Sequence, residues 1–473
     1  MLRGLIFGVC TVVAAAGCGA RTGLGDADRD VGGAGGAGAR EICNGLDDDL
    51  DGDVDEGLGT ITCGVGACRV EVAACIDGSP ATCVPGSPSP EVCNGEDDDC
   101  DGAVDEDLGL ARVAGPFTLD PSLNYLAYAS VVPSDDGFVF AYGTGFNGSN
   151  PQTNVFYGVL DASGAPVTTK APLTTLNMAN GLTLSRADGG FLASYCGRYG
   201  SEDRAAIGWL SDALEFTDFG VRPPASNHCG AGTPGGIATG DRLLFGWTDN
   251  SIFDVRLDVS SNDGASLDTV TLAPGDGDLY SHPRFAKLGD LVLATYSALV
   301  DGVFLLRVHR LDPLGQEVAP PLELTAPIGT NWTDAQVVAG AAGFFIWARG
   351  ASGERIEARL DASGELVSGP TLTGETMGQH ALASDGGGGF VVASTAISDA
   401  TYDSVVERRD SSGQLHDSWR GSRDPGFGLD VFGWPTIASA HGRIVVVYTA
   451  LGSGDGGDHP ELHAIALGCE ATP

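Results

Sequence analysis

Positive charge is scarce in this chain, which has 25 lysines and arginines against 63 aspartates and glutamates in 473 residues. The formal net charge of -38 gives a surface that repels anions and concentrates cations. Because proteins bind nucleic acids by neutralising phosphates with lysine and arginine, DNA and RNA binding are excluded by the sign of the charge. Common catalytic motifs are also lacking: there is no HExxH, no GxSxG, no P-loop and no GxGxxG opening a helix.

Long hydrophobic runs are lacking after the N-terminal segment, and stretches such as "LLFGW" and "IVVVYTALG" have only strand length. The N-terminal segment itself has Arg3, then the apolar core "LIFGVCTVVAAAG", which has the length of a secretory signal. It ends at "AAGC", where Cys18 follows a small residue. This arrangement resembles the lipobox of bacterial lipoproteins, although Ala15 stands where that family usually has leucine.

The lipobox resemblance implies that residues 1–17 are a signal peptide and that Cys18 is lipidated, which anchors an exported protein to a membrane. Gly19 in place of aspartate implies the outer membrane, by analogy with enteric bacteria. The alternative is plain signal cleavage near Ala16 or Ala20. Residues 18–40 include "VGGAGGAGAR" and lack an apolar pattern, so they predict a flexible tether.

One acidic segment occurs twice, as "EICNGLDDDLDGDVDE" from residue 41 and as "EVCNGEDDDCDGAVDE" from residue 91. The stretch from Asp26 to Asp107 holds 22 acids and three arginines, which is half of the net charge of the chain. In both copies acids at alternate positions precede a glycine, and two adjacent acids follow three residues after it. These candidate metal ligands are Asp47, Asp49, Asp51, Asp55 and Glu56 in the first copy and Asp97, Asp99, Asp101, Asp105 and Glu106 in the second.

The spacing of these acids predicts a site for a hard cation. Calcium takes six to eight oxygen ligands, and a glycine at the sixth position, here Gly52 or Gly102, permits the sharp turn that brings later ligands back. The loops are not EF-hands, because Leu58 and Leu108 occupy the position of the last glutamate. Zinc and copper prefer histidine or free thiolate, and residues 41–107 contain no histidine, so calcium is the predicted cofactor. The alternative is a solvated acidic run.

The pattern "CNGxDDDCDGxVDE" resembles the MopE-type metal-binding motif, which is abundant in secreted and surface proteins of myxobacteria and their relatives. The cysteine-rich segment between the two copies is similar to the spacer that joins two such motifs in that family. The resemblance covers residues 41–107 and implies metal binding on an exported protein. It predicts a small disulfide-rich, loop-dominated metal-binding module over those residues. The first copy departs from the family, since Leu50 replaces the cysteine found at Cys100.

Twelve cysteines in an exported chain predict disulfide bonds. Cys10 leaves with the signal and Cys18 carries lipid, which leaves ten disulfide candidates: Cys43, Cys63, Cys68, Cys75, Cys83, Cys93, Cys100, Cys196, Cys229 and Cys469. Cys93 and Cys100 are seven residues apart and are expected to close their own loop. Cys43 lacks such a partner and is expected to join either another cysteine of the spacer or Cys469. Cys196 and Cys229 lie in neighbouring repeats and are expected to pair.

A strand of similar sequence recurs seven times after residue 112, at intervals of 46 to 54 residues. The copies read "GFVFAYG" (137), "GFLASYC" (190), "RLLFGWT" (242), "DLVLATY" (290), "GFFIWAR" (343), "GFVVAST" (389) and "RIVVVYT" (443). Most are preceded by one strand, as in "PRFAKLG" (283), and followed by two, as in "VLDASG" (159) and "PVTTKAPLT" (166). Four short strands per repeat of this length are typical of a propeller blade.

The predicted fold class is therefore mainly β, with a seven-bladed β-propeller over residues 112–473. The last repeat stops after its third strand, "LHAIALG" (462), and we expect "RVAGPFTL" (112) to complete it and close the ring. The alternatives are a β-sandwich or two smaller barrels. The aspartates of the recurring "LDASG" are interpreted as turn residues rather than ligands.

One further pattern concerns the position just before the first strand in several repeats. The residues there are Asn180, His282, Trp332, His380 and Trp434. Equivalent positions of a propeller converge near the axis, so these side chains predict a face that binds a sugar or a peptide. The alternative is that they cap the central channel without binding a ligand.

Three functions follow from these patterns. The first is a non-enzymatic surface lipoprotein that binds calcium through two loops and a glycan or envelope protein through its propeller. The second is an exported propeller hydrolase or lyase acting on polysaccharide, which needs two facing carboxyls about 5–10 Å apart or a His–Tyr pair in the channel. The third is a passive envelope protein that buffers cations.

Overall fold

The structure is a computed structural model of the 473-residue chain. It describes residues 41–91, 97–102, 108–121, 123, 129–143, 155–174, 178–199, 202–223, 229, 234–249, 254–273, 281, 283–300, 302–327, 332–398, 401–421, 433–451 and 460–471. The predicted signal peptide and tether, with Cys18, lie outside these residues.

The chain divides into two compact units. The first, here called the N-terminal unit, contains the described residues 41–62 and 71–83. The second, here called the propeller unit, contains residues 63–70 and everything from residue 84 onwards. The first acidic loop thus belongs to the N-terminal unit and the second to the propeller unit. This division differs from the single module over 41–107 that the sequence predicts.

Regular structure is sparse before residue 108. Within the described residues of this region there are four short strands and one 3-10 helix: β1 (Thr60–Cys63), the 3-10 helix (Gly66–Cys68), β2 (Val70–Ala73), β3 (Cys75–Ile76) and β4 (Ser79–Pro80). Strand β1 pairs with β2, and β3 pairs with β4. The described residues include no helix with the length and apolarity needed to cross a membrane.

The rest of the described chain is built from antiparallel strands, which form seven blades of four. The first three blades are β6 (Ala129–Ser134), β7 (Gly137–Gly143), β8 (Val155–Asp161) and β9 (Pro166–Thr174); β10 (Met178–Ala187), β11 (Gly190–Tyr199), β12 (Glu202–Ser211) and β13 (Phe216–Val221); β14 (Gly235–Ala238), β15 (Leu243–Asp249), β16 (Asp254–Ser260) and β17 (Ser266–Ala273).

The fourth, fifth and sixth blades follow in chain order. They are β18 (Arg284–Leu288), β19 (Leu291–Val300), β20 (Val303–Leu311) and β21 (Glu317–Thr325); β22 (Thr333–Gly340), β23 (Gly343–Arg349), β24 (Glu354–Asp361) and the first part of β25 (Leu366–Ser384); the second part of β25, β26 (Phe390–Ser398), β27 (Thr401–Arg409) and β28 (Leu415–Gly421). The long strand β25 serves as the outer strand of the fifth blade and the inner strand of the sixth.

The seventh blade joins the two ends of the propeller. It consists of β29 (Gly433–Ala440), β30 (Arg443–Leu451), β31 (Pro460–Ala471) and β5 (Leu108–Asp120), in that order. Strand β5 pairs antiparallel with β31, from Leu462 opposite Asp120 to Ala471 opposite Leu108. The prediction that the segment at residue 112 closes the ring is therefore confirmed, and the seven-bladed propeller is shown.

The recurring sequence strand is the second strand of every blade, and it is the most buried. All seven side-chain positions of β7 and of β15 are buried, because both faces of this strand lie against neighbouring blades. For example, Phe138 and Phe140 of the first blade pack with Val445 and Val447 of the seventh. Continuous apolar runs such as "GFVFAYG" thus follow from burial on both faces.

The "LDASG" aspartates form turns, as predicted. Asp161 Oδ1 accepts hydrogen bonds from the backbone nitrogens of Ser163 (2.8 Å) and Ala165 (3.0 Å) and from the Ser163 hydroxyl (2.6 Å). These hydrogen bonds, led by the Ser163 hydroxyl, lower the pKa of Asp161. Asp361 and Asp410 repeat the same arrangement, which fits a structural rather than a ligand-binding role.

The disulfides confirm some expectations and correct one. Cys196 pairs with Cys229 as predicted, and Cys43 pairs with Cys75 of the spacer rather than with Cys469. Cys100 pairs with Cys68, so the expected local Cys93–Cys100 bond is wrong. The backbone explains this, since the 3-10 helix that carries Cys68 lies against the second loop. The candidates Cys63, Cys83 and Cys469 are also disulfide-bonded, whereas Cys93 lies outside the described residues.

Candidate metal loops and axial channel

Glu41 organises the first acidic loop. Its Oε1 accepts hydrogen bonds from the backbone nitrogens of Asp48 (3.0 Å) and Asp49 (2.9 Å), and its Oε2 accepts one from Asp55 (3.0 Å). These bonds tie the start of the loop to its middle and its end. Glu41 is not among the predicted ligands, although a glutamate stands six positions before the first aspartate in both copies.

The middle of the first loop makes a tight turn around its aspartates. Gly52 has a φ of 104°, in the region that favours glycine, and Leu50 has a φ of 62°. The Gly52 nitrogen donates to Asp47 Oδ2 (3.0 Å), and the Asp51 nitrogen donates to Asp49 Oδ1 (3.1 Å). The predicted role of glycine in the sharp turn is thus observed.

The turn brings carboxylates together in two overlapping groups. Oxygens of Glu41, Asp47 and Asp49 lie within 4.8 Å of one another, and so do those of Asp49, Asp51 and Glu56. Desolvation raises the pKa of Asp49, and the charge of Asp51 adds to this effect. For Glu56, its own backbone N–H lowers the pKa, but desolvation and three nearby carboxylates outweigh it and the pKa is raised. Such crowding disfavours the charged carboxylates unless a cation offsets it.

Asp55 lies outside the two overlapping groups of carboxylates that the turn brings together. Its carboxylate accepts hydrogen bonds from the backbone nitrogens of Asn44 (2.8 Å) and Gly45 (3.0 Å). It also lies near the sulfurs of Cys43 and Cys75, but these form a disulfide and offer no thiolate. Asp55 therefore closes the loop, while the groups around Asp49 hold the oxygens suited to a cation.

The second loop repeats the geometry of the first. Glu91 Oε1 accepts a hydrogen bond from the Asp99 nitrogen (2.8 Å), and Asp97 Oδ2 accepts one from Gly102 (3.1 Å). Oxygens of Glu91, Asp97 and Asp99 lie within 4.8 Å of one another, at the same offsets as in the first loop. The Asp101 nitrogen donates to Asp99 Oδ1 (3.1 Å), and Gly102 has a φ of 98°.

Asp97 is the most deeply buried of these ligands. Its exposed fraction is 5 %, and its Oδ1 is buried without a hydrogen-bond partner among the described residues. A buried carboxylate oxygen without a partner is costly. Of the remaining predicted ligands, Asp105 and Glu106 lie outside the described residues.

The 3-10 helix holds Asp97 in place. The Ala67 nitrogen donates to the Asp97 carbonyl (2.8 Å), and a Cβ added at Gly66 would lie 2.1 Å from that oxygen. The adjacent Cys68 forms the disulfide with Cys100 of the loop. Backbone contact and covalent bond together fix the second loop.

The inner strands of the seven blades surround an axial cavity of about 980 Å³. Its lining comes from all seven strands, from β6 to β29. At the end where these strands begin, the cavity is bordered by Arg284 of the fourth blade, Asp334 of the fifth and His380 of the sixth. We call this end the charged mouth.

The charged mouth is held by hydrogen bonds between blades. Gln336 Nε2 donates to the His380 carbonyl (2.7 Å), and Gln336 Oε1 accepts from the Leu382 nitrogen (3.1 Å). Asp334 has a φ of 50° and forms an ion pair with Arg349 (2.9 Å). Aspartate is one of the residues that adopt this left-handed conformation more often than most.

The structure describes the side chains of two residues of the predicted ligand face, His380 and Trp332. His380 lines the cavity, but Trp332 is 2 % exposed, packs in the core between the fourth and fifth blades and donates to the Leu324 carbonyl (3.0 Å). Trp332 is therefore a core residue, a correction explained by its apolar surroundings. Asn180 lies in β10 and Trp434 in β29, but their side chains are outside the described part, as is the whole of His282.

No protein-family model matches the chain, and no curated protein does either. Similar solved structures include a protein of unknown function from Dyadobacter fermentans, at 11% identity over 77% of this chain and 100% of that one, with a TM-score of 0.48.

Two further similar structures have lower TM-scores. A neuraminidase-like protein from A/bat/Guatemala has 11% identity over 82% of this chain and 97% of its own, with a TM-score of 0.43. Apo AztD from Citrobacter koseri has 14% identity over 73% of this chain and 90% of its own, with a TM-score of 0.38. The propeller assignment rests on strand order alone, and these likenesses assign no ligand or reaction to the chain.

Proposed function

We propose that this protein is an exported calcium-binding propeller protein of the cell envelope, anchored through Cys18. Its two acidic loops each take one calcium ion, and its propeller serves as the binding scaffold. The observation that carries the proposal is the group of Glu91, Asp97 and Asp99, in which the buried Asp97 Oδ1 has no partner among the described residues.

The repetition of this group supports the calcium proposal. Glu41, Asp47 and Asp49 stand fifty residues before their counterparts and bring their oxygens equally close. Each set consists only of oxygen ligands, which is the chemistry calcium and magnesium prefer. A solvated acidic run has no reason to reproduce the backbone hydrogen bonds of one loop in the other.

Two features support export and anchoring. Disulfides persist in oxidising compartments, and the described cysteines are disulfide-bonded. The apolar segment before Cys18 has signal-peptide length and ends in a small residue followed by cysteine.

The alternative of a polysaccharide hydrolase or lyase has less support. Asp334 is the one carboxylate among the described residues that line the cavity. A pair of facing carboxyls, which a glycosidase needs, is thus not provided by this part of the lining. We therefore propose a binding role for the propeller.

Calcium-dependent stability tests the loops. With dissociation constants of about 10⁻⁴–10⁻³ M, about 10 mM calcium should stabilise the folded chain by roughly 1.4–2.7 kcal/mol per loop. Thermal unfolding of the full chain in calcium and in chelator measures this gain. The pair Asp97→Asn and Asp99→Asn should remove about half of it, as should Asp47→Asn with Asp49→Asn.

The matched control for those variants is Asp77→Asn. Asp77 is an exposed acid outside both groups, and its φ of 50° is one that asparagine adopts readily. This variant should keep the whole calcium response. An equal response in the Asp97 and Asp99 variant would refute the assignment of the second loop.

Lipid attachment is tested separately in a bacterial host. Metabolic labelling with a clickable fatty acid should mark the wild-type chain and the Cys10→Ser control, but not Cys18→Ser. The unlabelled variant should leave the membrane fraction. Equal labelling of all three chains would exclude Cys18 as the anchor.

A further inference from the structure

We propose that the N-terminal unit carries a docking surface for a cationic peptide segment of a partner protein that also bears apolar side chains. We call this surface the acidic–apolar patch, and it consists of Ile42, Leu46, Val54 and Ile76 together with Asp53. The inference goes beyond the proposed function, because it concerns a protein partner and does not require the acidic loops to hold calcium.

Aliphatic side chains of this unit are exposed while the carboxylates that organise its loop are partly buried. Each of the four aliphatic residues of the patch is more than half exposed, whereas Glu41 and Asp49 are only partly accessible. A single exposed aliphatic side chain is ordinary on a protein surface. Several of them gathered in one place mark an interaction surface, so their relative positions decide the matter.

A hydrogen bond across the first loop brings two of these residues together. The Gly45 nitrogen donates to Asp55 Oδ2 (3.0 Å), and the same nitrogen lies 3.1 Å from Asp55 Oδ1. Since Leu46 follows Gly45 and Val54 precedes Asp55, the two ends of the loop present their aliphatic residues on adjacent stretches of backbone.

The third stretch of the patch joins at the same point. A Cβ added at Gly78 would lie 2.9 Å from the Gly45 Cα, so the turn that follows Ile76 packs directly against the start of the loop. The disulfide between Cys43 and Cys75 ties the residue before Ile76 to the same stretch. The patch is therefore assembled from three segments that covalent and backbone contacts hold together.

The charge of the unit selects the occupant of the patch. Residues 41–62 and 71–83 contain ten aspartates and glutamates and no lysine, arginine or histidine. Asp53 is exposed and lies outside the carboxylate groups of the loop, so calcium bound there leaves its charge in place. Like charge disfavours a second copy of the patch and an anionic membrane. Lysine or arginine interleaved with apolar side chains complements both features of this surface.

The second acidic segment shows that the loop does not need an aliphatic residue at this position. Glu96 stands where the first segment has Leu46. Yet Glu91, Asp97 and Asp99 form the same carboxylate group as their counterparts in the first loop. Leu46 is thus dispensable for the geometry of the loop, which leaves its exposed side chain available to a partner.

The test is fluorescence anisotropy of a labelled synthetic peptide of leucine and lysine titrated with the full chain at about 150 mM salt. The wild type should bind this peptide saturably. An oligolysine of equal charge should bind at least about tenfold more weakly, because it offers no apolar side chains to the patch. Equal affinity for the two peptides would overturn the proposal in favour of general attraction to an acidic chain.

Variants that change no charge localise the surface. Leu46→Gln combined with Val54→Thr should weaken binding of the leucine–lysine peptide by at least about tenfold, because two aliphatic contacts are lost. Ile76→Thr keeps a β-branched residue in β3 and should weaken binding by about threefold. Since every carboxylate remains, these losses cannot come from weaker charge attraction.

The matched control is Leu415→Gln combined with Val167→Thr. It makes the same two substitutions at exposed positions of β28 and β9 in the propeller unit, and it should keep the wild-type affinity. Peptide mapping of the Cys43–Cys75 bond shows whether the N-terminal unit of each variant has folded correctly.

Three results would overturn the proposal: no saturable binding of the leucine–lysine peptide up to about 1 mM, unchanged affinity in both folded patch variants, or an equal loss in the control. Sedimentation velocity and flotation with phosphatidylcholine vesicles test the other occupants. A dimer or a vesicle complex that the wild type forms and the Leu46→Gln, Val54→Thr variant does not would assign the patch to a second copy or to lipid, and would also overturn the proposal.

Repeating the peptide titration in chelator separates this claim from the calcium proposal. Peptide binding that survives chelation, together with a missing calcium response, would reject the calcium loops and keep the patch. A full calcium response without saturable peptide binding would reject the patch alone.

Discussion

Tyr142 in β7 donates a hydrogen bond of 3.0 Å to Oδ2 of Asp120, the last residue of β5. The Asp120 side chain is 0% exposed, and the same oxygen lies 2.7 Å from Lys170 Nζ of β9. Since β5 completes the seventh blade while β7 and β9 belong to the first, this contact joins the two ends of the propeller. Burial and the charge of Asp120 also raise the pKa of Tyr142, which keeps its hydroxyl hydrogen in place.

We predict that Asp120→Asn lowers the free energy of unfolding by about 2–3 kcal/mol, because it leaves Lys170 without its charged partner. Tyr142→Phe removes only the hydrogen bond and should cost about 1 kcal/mol. Urea unfolding followed by fluorescence measures both values. A larger loss for Tyr142→Phe than for Asp120→Asn would show that the ion pair does not stabilise the closure.

His380 should make the propeller less stable in acid. Its pKa is lowered to about 4 by burial, with the charges of Asp334 and Arg349 acting in opposite directions. The unfolded chain takes up this proton near pH 6.5 and the folded chain does not, so stability is lost as the pH falls below about 6.5. The full loss, reached near pH 4, is roughly 3 kcal/mol.

The variant His380→Gln isolates that effect. When the pH is lowered from 7 to 4.5, the free energy of unfolding should fall more for the wild type than for the variant. His309, whose pKa is also lowered by burial, is present in both proteins and cancels in this difference. A stability difference that does not change with pH would contradict the assignment.

The Cys196–Cys229 disulfide should stabilise the second blade. It closes a sequence separation of 33 residues, for which chain-entropy reasoning gives about 3–4 kcal/mol. Replacing both cysteines with alanine should lower the free energy of unfolding by that order, while the other disulfides stay intact. A double variant that unfolds at the wild-type urea concentration would argue that the bond does not stabilise the folded chain.

Glu91 should matter for the second loop as much as the aspartates do. Its carboxylate is one of three that converge there and also accepts a hydrogen bond from the Asp99 nitrogen. We expect Glu91→Gln to weaken calcium binding at that loop by about 10-fold or more. Calcium titration monitored by thermal shift provides the measurement, with Asp77→Asn as the control. Wild-type affinity in Glu91→Gln would remove Glu91 from the site.

Much of the fold was predictable because strand burial and turn chemistry are local. The second strand of each blade is apolar on both faces, which gives a continuous apolar run in the sequence. The Asp161 turn needs a serine and a glycine nearby in the chain, which gives a short recognisable motif. Closure by β5 was also predictable, because the last repeat lacked a fourth strand.

The sites were less predictable because they depend on contacts distant in the chain. The Cys68–Cys100 bond requires the 3-10 helix to lie against the second loop, which no spacing rule indicates. Trp332 was predicted to lie on the ligand face because the sequence of a single strand does not show that this side chain is buried between two blades. Arg284, Asp334 and His380 come from three blades, and only the closed ring brings them to one mouth.

The most direct test of the calcium account is a calorimetric count of the ions bound per full-length chain. We predict two ions for the wild type and for Asp77→Asn, one when either loop loses its paired aspartates, and none when both do. No binding at calcium concentrations up to several millimolar would contradict the claim that each copy of the acidic segment is one calcium loop. Two ions bound to the variant that lacks the paired aspartates of both loops would contradict it as well.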